Sequence, residues 1–254
     1  MADASAHGPL DPSSGGREAA LAARWRRLRD GVPSALYLLG WALVLLVALV
    51  ALGWLLSKVV HDDGIGRADS GLSRWLAGER TPDLNQVTRW TTLLSETITV
   101  TVLAVLAVAI TALVWRRWRE PMLVAVAVAG EVAIFLAITL LVDRRRPPVS
   151  HLDQAPPTSS FPSGHTAAAI CLYGALAVLV FQRARSALVR WLTLILAVLI
   201  PVAVAVARVY RGMHYLTDVV GGILLGGAWL LATVHGIRLG AAHWQLRHRT
   251  ASRK

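Results

Sequence analysis

Charge is scarce in this chain of 254 residues: only 16% are Asp, Glu, Lys or Arg, well below the roughly 25% of soluble globular domains. So little charge cannot coat a water-facing surface of this size and points to lipid as the solvent. Cysteine is almost absent as well. The single thiol, Cys171, excludes an internal disulfide and says nothing about compartment; its position inside a fourth apolar run suggests burial. Polar interruptions are also missing. The run from Leu36 to Leu56 is apolar on every side, without the polar face at a period of 3.6 that a soluble helix carries.

What is present is a set of apolar runs, each long enough to cross about 30 Å of hydrocarbon at 1.5 Å per helical residue. They fall at 35–58, 94–115, 121–142, 165–182, 189–207 and 216–237. The expected fold is therefore all-α, a polytopic six-transmembrane-helix bundle over 33–240. Residues 1–32 read as a basic tail, disordered or loosely helical, and 241–254 as a second basic tail. The segment 59–93 reads as a loop with an interfacial helix, Leu72, Trp75 and Leu76 forming one face. The first apolar run is too long for a signal peptide and should anchor the chain.

Basic residues outnumber acidic ones, 26 to 15. Their positions explain the excess without nucleic acid. Arg17, Arg24, Arg26, Arg27 and Arg29 precede the first run, Arg116, Arg117 and Arg119 separate the second and third, and Arg183, Arg185 and Arg190 lie around the fourth connection. With Arg238, Arg247, Arg249, Arg253 and Lys254 after the last run, they assign both termini to the cytoplasm. The remaining segments, 59–93, 143–164 and 208–215, then face the periplasm or exterior. Two of these break the charge rule, because Arg144, Arg145, Arg146, Arg208 and Arg211 all lie on the side that normally avoids cations. An anionic ligand would account for them.

Three short segments concentrate the reactive chemistry: Arg144-Arg145-Arg146-Pro147, then Pro162-Ser163-Gly164-His165, then Arg208 followed by His214 and Asp218. In this order, each at the outer end of an expected span, they resemble the type 2 phosphatidic acid phosphatases and their relatives the vanadium haloperoxidases. The resemblance covers roughly Thr139 to Asp218. Two positions depart from it: Thr139 stands where the family has a Lys, seven residues before Arg146, and Ala207 replaces the Ser before Arg208.

The residues support phosphate chemistry in their own right. Arg146 and Arg208 can each offer parallel hydrogen bonds to phosphate oxygens. Ser163 and Gly164 open an expected helix, whose N-terminus favours anions, and Gly164 leaves room for a close approach; a plain N-cap explains Ser163 equally well. His214 and Asp218 are four apart, so on one helical face the carboxylate would accept the Nδ1 proton and leave the far nitrogen free to attack phosphorus. His165 remains to protonate the leaving oxygen. The resemblance implies the same roles: His214 as nucleophile forming a phosphohistidine, Asp218 as its orienting partner, His165 as general acid. Arg144, Arg145 and Arg211 are auxiliary candidates to replace the missing lysine charge.

No cofactor and no metal is expected. His151 and Asp153 add possible donors, but no recognised zinc spacing is present and a ring of arginines would repel a divalent cation. Glu131, near mid-membrane, is expected to be protonated or hydrogen-bonded between helices rather than catalytic. Gly222 and Gly226 have small-xxx-small spacing, which lets helices pack closely, within the chain or in a dimer; the oligomeric state is open. The resulting expectation is a lipid phosphate phosphatase at the outer leaflet, whose partners are the bilayer and a membrane lipid phosphate. Polyprenyl diphosphate such as undecaprenyl diphosphate is favoured by analogy, with phosphatidic acid or phosphatidylglycerophosphate as alternatives. A lipid-phosphate-binding or transport protein that has lost turnover is the rival of another class. A vanadate-holding haloperoxidase is a further one, disfavoured because those relatives are soluble.

Overall fold

Helix is the only regular structure among the described residues of the computed structural model, which covers 12–59 and 63–251, with side chains over 32–59 and 63–241. Helix α1 (Pro12–Trp54) closes in one π-helical turn (Leu55–Val59), and α2 (Gly64–Gly78), α3 (Pro82–Leu93) and α4 (Thr97–Trp115) follow. The chain continues through α5 (Arg119–Leu141), α6 (Gly164–Arg183), α7 (Ala187–Tyr210) and α8 (Leu216–Ala251). Six stretches are long and apolar enough to span a bilayer: Val32–Val59, Pro82–Trp115, Arg119–Leu141, Gly164–Arg183, Ala187–Tyr210 and Leu216–Ala241. Each contains one of the six expected runs to within one residue, although the second begins at Pro82 rather than at 94, and the chain is a multi-pass membrane protein. Its outward side chains fit that solvent, with Leu113 and Leu140 79% and 86% exposed, an arrangement favourable only in hydrocarbon.

Several boundaries differ from the sequence reading, and helix α8 runs on to Ala251, through most of the expected second tail. Helix α1 reaches back to Pro12, so 12–32 is helical, in keeping with the Ala, Leu, Glu and Arg of that stretch, all strong helix formers. Residues 1–11 and 252–254, the ends of the two expected tails, lie outside the described residues. The segment expected to hold one interfacial helix instead holds two. Thr81 caps the second by accepting a hydrogen bond from the Leu84 amide at 3.3 Å, with Pro82 at the first helical position. Arg80 fastens the link between them to the end of α7, donating to the Tyr210 carbonyl and to Ser150. On α2, Leu72 and Leu76 pack against Ala205, Val209 and Val219, whereas Trp75 points away and is exposed.

Helix α6 is the axis of the bundle, in contact with α4, α5, α7 and α8. Small residues make this possible: Ala167, Ala169, Cys171 and Ala175 are wholly buried. Opposite them on α8, a Cβ on Gly222 would lie 2.5 Å from the Ser163 carbonyl oxygen, and one on Gly226 2.7 Å from that of Ala167. The small-xxx-small pair therefore serves packing inside the chain. Glu131 is buried in this core with neither carboxylate oxygen hydrogen-bonded, so the expected interhelical bond does not form.

Gly226→Leu should destabilise the folded protein by about 1–3 kcal/mol or more through overpacking, seen as a lower thermal unfolding midpoint in detergent. Gly227→Ala, whose added Cβ meets nothing within 4 Å, should leave the midpoint unchanged or slightly raised.

Candidate active site

The reactive residues gather where α5 ends, α6 begins, α7 ends and α8 begins. Helix ends are where a membrane bundle can place irregular backbone beside ionisable side chains, because polar groups there are buried in protein or open to water rather than to lipid. The connection 142–163 folds on itself: the Ser160 amide donates to the Arg144 carbonyl at 2.9 Å and the Ser160 hydroxyl to that of Arg145 at 3.1 Å. The Leu152 amide joins it to the Arg211 carbonyl at 3.1 Å, and the Ser163 amide joins it to the Asp218 carbonyl at 2.9 Å. After α7 the chain reverses at Gly212, whose φ of +74° suits glycine and whose position faces Val149 and Arg80 too closely for a side chain.

Arg144 forms the structural centre. Its guanidinium is buried, donates to Asp218 Oδ1, to Asp69 Oδ2 at 3.2 Å and to Thr217 Oγ1 at 2.8 Å, and lies 4.6 Å from the Tyr215 ring centre. Asp69, on α2, also accepts from the Thr217 hydroxyl and amide. Asp218 uses its other oxygen to accept the Tyr215 amide at 2.9 Å, the reciprocal half of a capping box at the start of α8.

Beside this cluster stand His214, Arg146, His165 and Arg208. His214 Nδ1 lies 2.7 Å from the Ser160 carbonyl oxygen, which can only accept, so Nδ1 carries the proton and Nε2 keeps its lone pair. Arg146 donates one bond, to the Met213 carbonyl at 2.7 Å, and Arg208 one, to Asp153 Oδ2 at 2.9 Å; the buried Nε of each has no partner. Arg146, Asp153, Arg208 and His214 are all near enough for their charges to act on the His165 ring. Asp153 also binds Arg211 through both carboxylate oxygens, at 2.8 and 2.6 Å.

Residues 120–239 match the model of the PAP2 superfamily. Phosphatidylglycerophosphatase B of Bacillus subtilis (strain 168) is 28% identical over 173 residues, covering 68% of this chain and 84% of that protein. The crystal structure of a transmembrane PAP2-type phosphatidylglycerolphosphate phosphatase from Bacillus subtilis superposes with a TM-score of 0.65 at 25% identity, over 81% of this chain and 94% of that one. These similarities point to a hydrolase of phosphoric esters.

Several expectations are revised by the geometry. Asp218 does not take the Nδ1 proton of His214: its nearer oxygen is 3.8 Å away. His214 precedes α8, which starts at Leu216, so the two side chains do not share a helical face. The Ser160 carbonyl orients the ring, and Asp218 acts on it through charge alone. Arg144 and Arg211 are not spare phosphate ligands. Arg144 is held by two carboxylates, and Arg211 by Asp153, the Asn85 and Leu152 carbonyls and Thr88. Arg145 is exposed, without a carboxylate partner among the described residues. Ser163 occupies the N-cap of α6 without capping it and shares a hydrogen bond with Thr166 at 3.0 Å. The space beside Gly164 is taken by the Phe135 ring, 2.8 Å from a would-be Cβ, so packing explains that glycine. His151 bonds to the Pro147 carbonyl at 3.1 Å while Asp153 serves arginines, so the two form no donor pair.

The sequence reading missed Asp69 and the anchoring role of Asp153. Asp69 stands three residues before Leu72 and seven before Leu76, an acid on the apolar face of α2, and that spacing was its only signal.

Electrostatics favour a neutral imidazole at His214. Burial pushes the His214 pKa below its ordinary value, outweighing the opposing effect of Asp218, with Arg208 and Arg146 lowering it further. Asp153 is raised by burial but more strongly lowered by the hydrogen bonds and charges of Arg211 and Arg208, and stays ionised. The His214 imidazole should therefore lose its proton as pH rises through a value below about 6.5. Titration of labelled histidine by NMR, with the His214 signal identified by its absence in His214→Gln, checks this; a midpoint above 6.5 contradicts it. Arg144→Ala leaves two buried carboxylates without their cation and should cost about 3–5 kcal/mol of stability, against less than about 0.5 kcal/mol for Arg145→Ala, read by unfolding in detergent.

Proposed function

We propose that the chain, a PAP2-type membrane lipid phosphatase, removes the terminal phosphate of phosphatidylglycerophosphate through a phosphohistidine on His214. The observation that carries this is the convergence of His165 and His214 with two arginines, Arg146 and Arg208, which make one hydrogen bond each and, like Arg144 beside them, keep a buried Nε donor unmet. Buried donors without partners are costly and are explained by an acceptor that arrives with the substrate.

In the proposed reaction, the Nε2 lone pair of His214 attacks phosphorus and the bond from phosphorus to the lipid oxygen breaks. His165 gives its proton to that oxygen, and the alcohol leaves. His165 then takes a proton from water, the hydroxide displaces His214 from phosphorus, and inorganic phosphate is released. Arg146 and Arg208 hold the equatorial oxygens as their charge grows. The negative charge of Asp218, 3.8 Å from the ring, favours the cationic phosphoimidazole. Of the three auxiliary arginines, Arg145 takes the place of the family lysine, since it shares a cavity of about 450 Å³ with Arg146 and Thr139 and is otherwise uncommitted.

A lipid tail is accommodated beside the site. An apolar groove of about 520 Å³ runs between α2, α6, α7 and α8, from Leu72 and Leu76 past Pro201. It reaches Thr166, the hydrogen-bond partner of Ser163. The positive-inside bias supports a catalytic end facing the exterior, because the basic connections 116–119 and 183–190 lie at the other end of the bundle. The sequence alone favoured polyprenyl diphosphate as substrate; the names of both Bacillus subtilis relatives favour the glycerophosphate monoester instead.

Purified protein should release phosphate faster from phosphatidylglycerophosphate than from undecaprenyl diphosphate or phosphatidic acid. His214→Ala should fall to background, His165→Ala should lose about 10²–10⁴-fold in kcat, and Arg145→Ala about 10- to 100-fold in kcat/KM. Headgroup binding without phosphate release would overturn the enzymatic mechanism, and faster release from the diphosphate would restore the polyprenyl substrate.

A further inference from the structure

A second polar cavity lies at the opposite end of the bundle. Helix α5 separates the two, its 23 residues spanning about 35 Å at 1.5 Å per residue. Where α5 begins, α6 ends and α8 passes, about 420 Å³ is enclosed by Arg117, Arg119, Glu120, Arg183 and Arg238 over a floor of Leu, Val and Ile side chains. Four arginines face one carboxylate. Glu120 is ion-paired to Arg183, while Arg117, Arg119 and Arg238 make no ion pair among the described residues. The catalytic end differs, because there Arg144, Arg208 and Arg211 each have a carboxylate.

Three further features define what fits. The first turn of α5 forms one wall, and its N-cap, Trp118, supplies no side-chain acceptor to the opening amides, which adds partial positive charge. Trp118 is exposed and Trp115 lies 4.8 Å beneath the Arg183 guanidinium, so tryptophans flank the cavity as they do at the headgroup level of a bilayer. Glu120 is more than nine-tenths buried, and its Oε2 has no hydrogen-bond partner. That oxygen calls for a donor on the occupant.

We infer that this cavity binds the headgroup of an anionic phospholipid in the leaflet opposite the catalytic centre: arginines hold the phosphodiester and Glu120 Oε2 accepts from a headgroup hydroxyl. A hydroxyl-bearing headgroup such as that of phosphatidylglycerol meets both demands, and the apolar floor receives the start of its chains. Basic pockets between transmembrane helices are suited to such headgroups. The inference does not depend on the identity of the substrate, and a free phosphate ion shares only the arginine half of the chemistry.

The test uses the full-length protein in neutral detergent, titrated with phosphatidylglycerol, phosphatidylcholine or inorganic phosphate, with thermal unfolding and native mass spectrometry as readouts. Phosphatidylglycerol should raise the unfolding midpoint by several degrees and remain as a bound molecule, in wild type and equally in His214→Ala. Arg119→Gln with Arg238→Gln should weaken that response at least threefold. If the double variant does not fold, Arg117→Gln, an exposed position, should weaken it in the same direction. An undiminished response in these variants, or an equal one to phosphatidylcholine, overturns the site. A response to inorganic phosphate of the same size overturns the lipid assignment, and loss of the response in His214→Ala assigns the lipid to the catalytic end instead.

Discussion

One buried cation holds the catalytic end of this protein together. The Arg144 guanidinium is shared between Asp218 at the start of α8 and Asp69 on α2, and it projects from the segment that follows α5. Three elements remote in sequence are thereby drawn to one point. Charges taken out of water are tolerated only when paired and hydrogen-bonded, so none of the three side chains can leave without stranding the others. Two carboxylates around one guanidinium also leave the cluster negative beside His214. A ring that becomes cationic when it bonds to phosphorus is suited to that neighbour.

The arginines divide into those already satisfied and those kept short of partners. Arg144 and Arg211 are held by several carboxylates, carbonyls and hydroxyls, with only the Arg144 Nε left without a partner, and they shape the site. Arg146 and Arg208 make one hydrogen bond each and retain buried Nε donors. The same residue type thus builds the cradle and fills it, and the difference lies in whether an acid stands opposite. At the other end of the bundle Arg117, Arg119 and Arg238 make no ion pair among the described residues, and the one carboxylate there, Glu120, is taken by Arg183, which leaves that cavity suited to an anion from outside the chain.

Much of the fold was legible because lipid imposes long apolar runs, and all six appear as helices, although α1 and α8 run well past the expected limits. The motif segments were legible as well, and they converge. The roles of neighbouring residues were harder to read. In the non-helical stretch 144–146 Arg144 is buried, Arg145 exposed and Arg146 between the two, a distinction absent from three identical letters. His214 and Asp218 have helical spacing, yet the helix begins between them, and two residues of offset separate a hydrogen bond from a 3.8 Å charge contact. Asp69 is paired with a partner 75 positions away, and local patterning carries no trace of a contact at that range.

Sequence alone determined the solvent, the number of spans, the order of the phosphate-handling segments and the residue types available to them, because these depend on run length and on short spacings. Tertiary structure alone decided which arginines are held by carboxylates and which are not, which carbonyl orients the His214 ring, and which apolar groove adjoins the site. Those outcomes depend on the direction of individual side chains at the meeting point of four helix ends, and direction is set by packing between elements far apart in the chain.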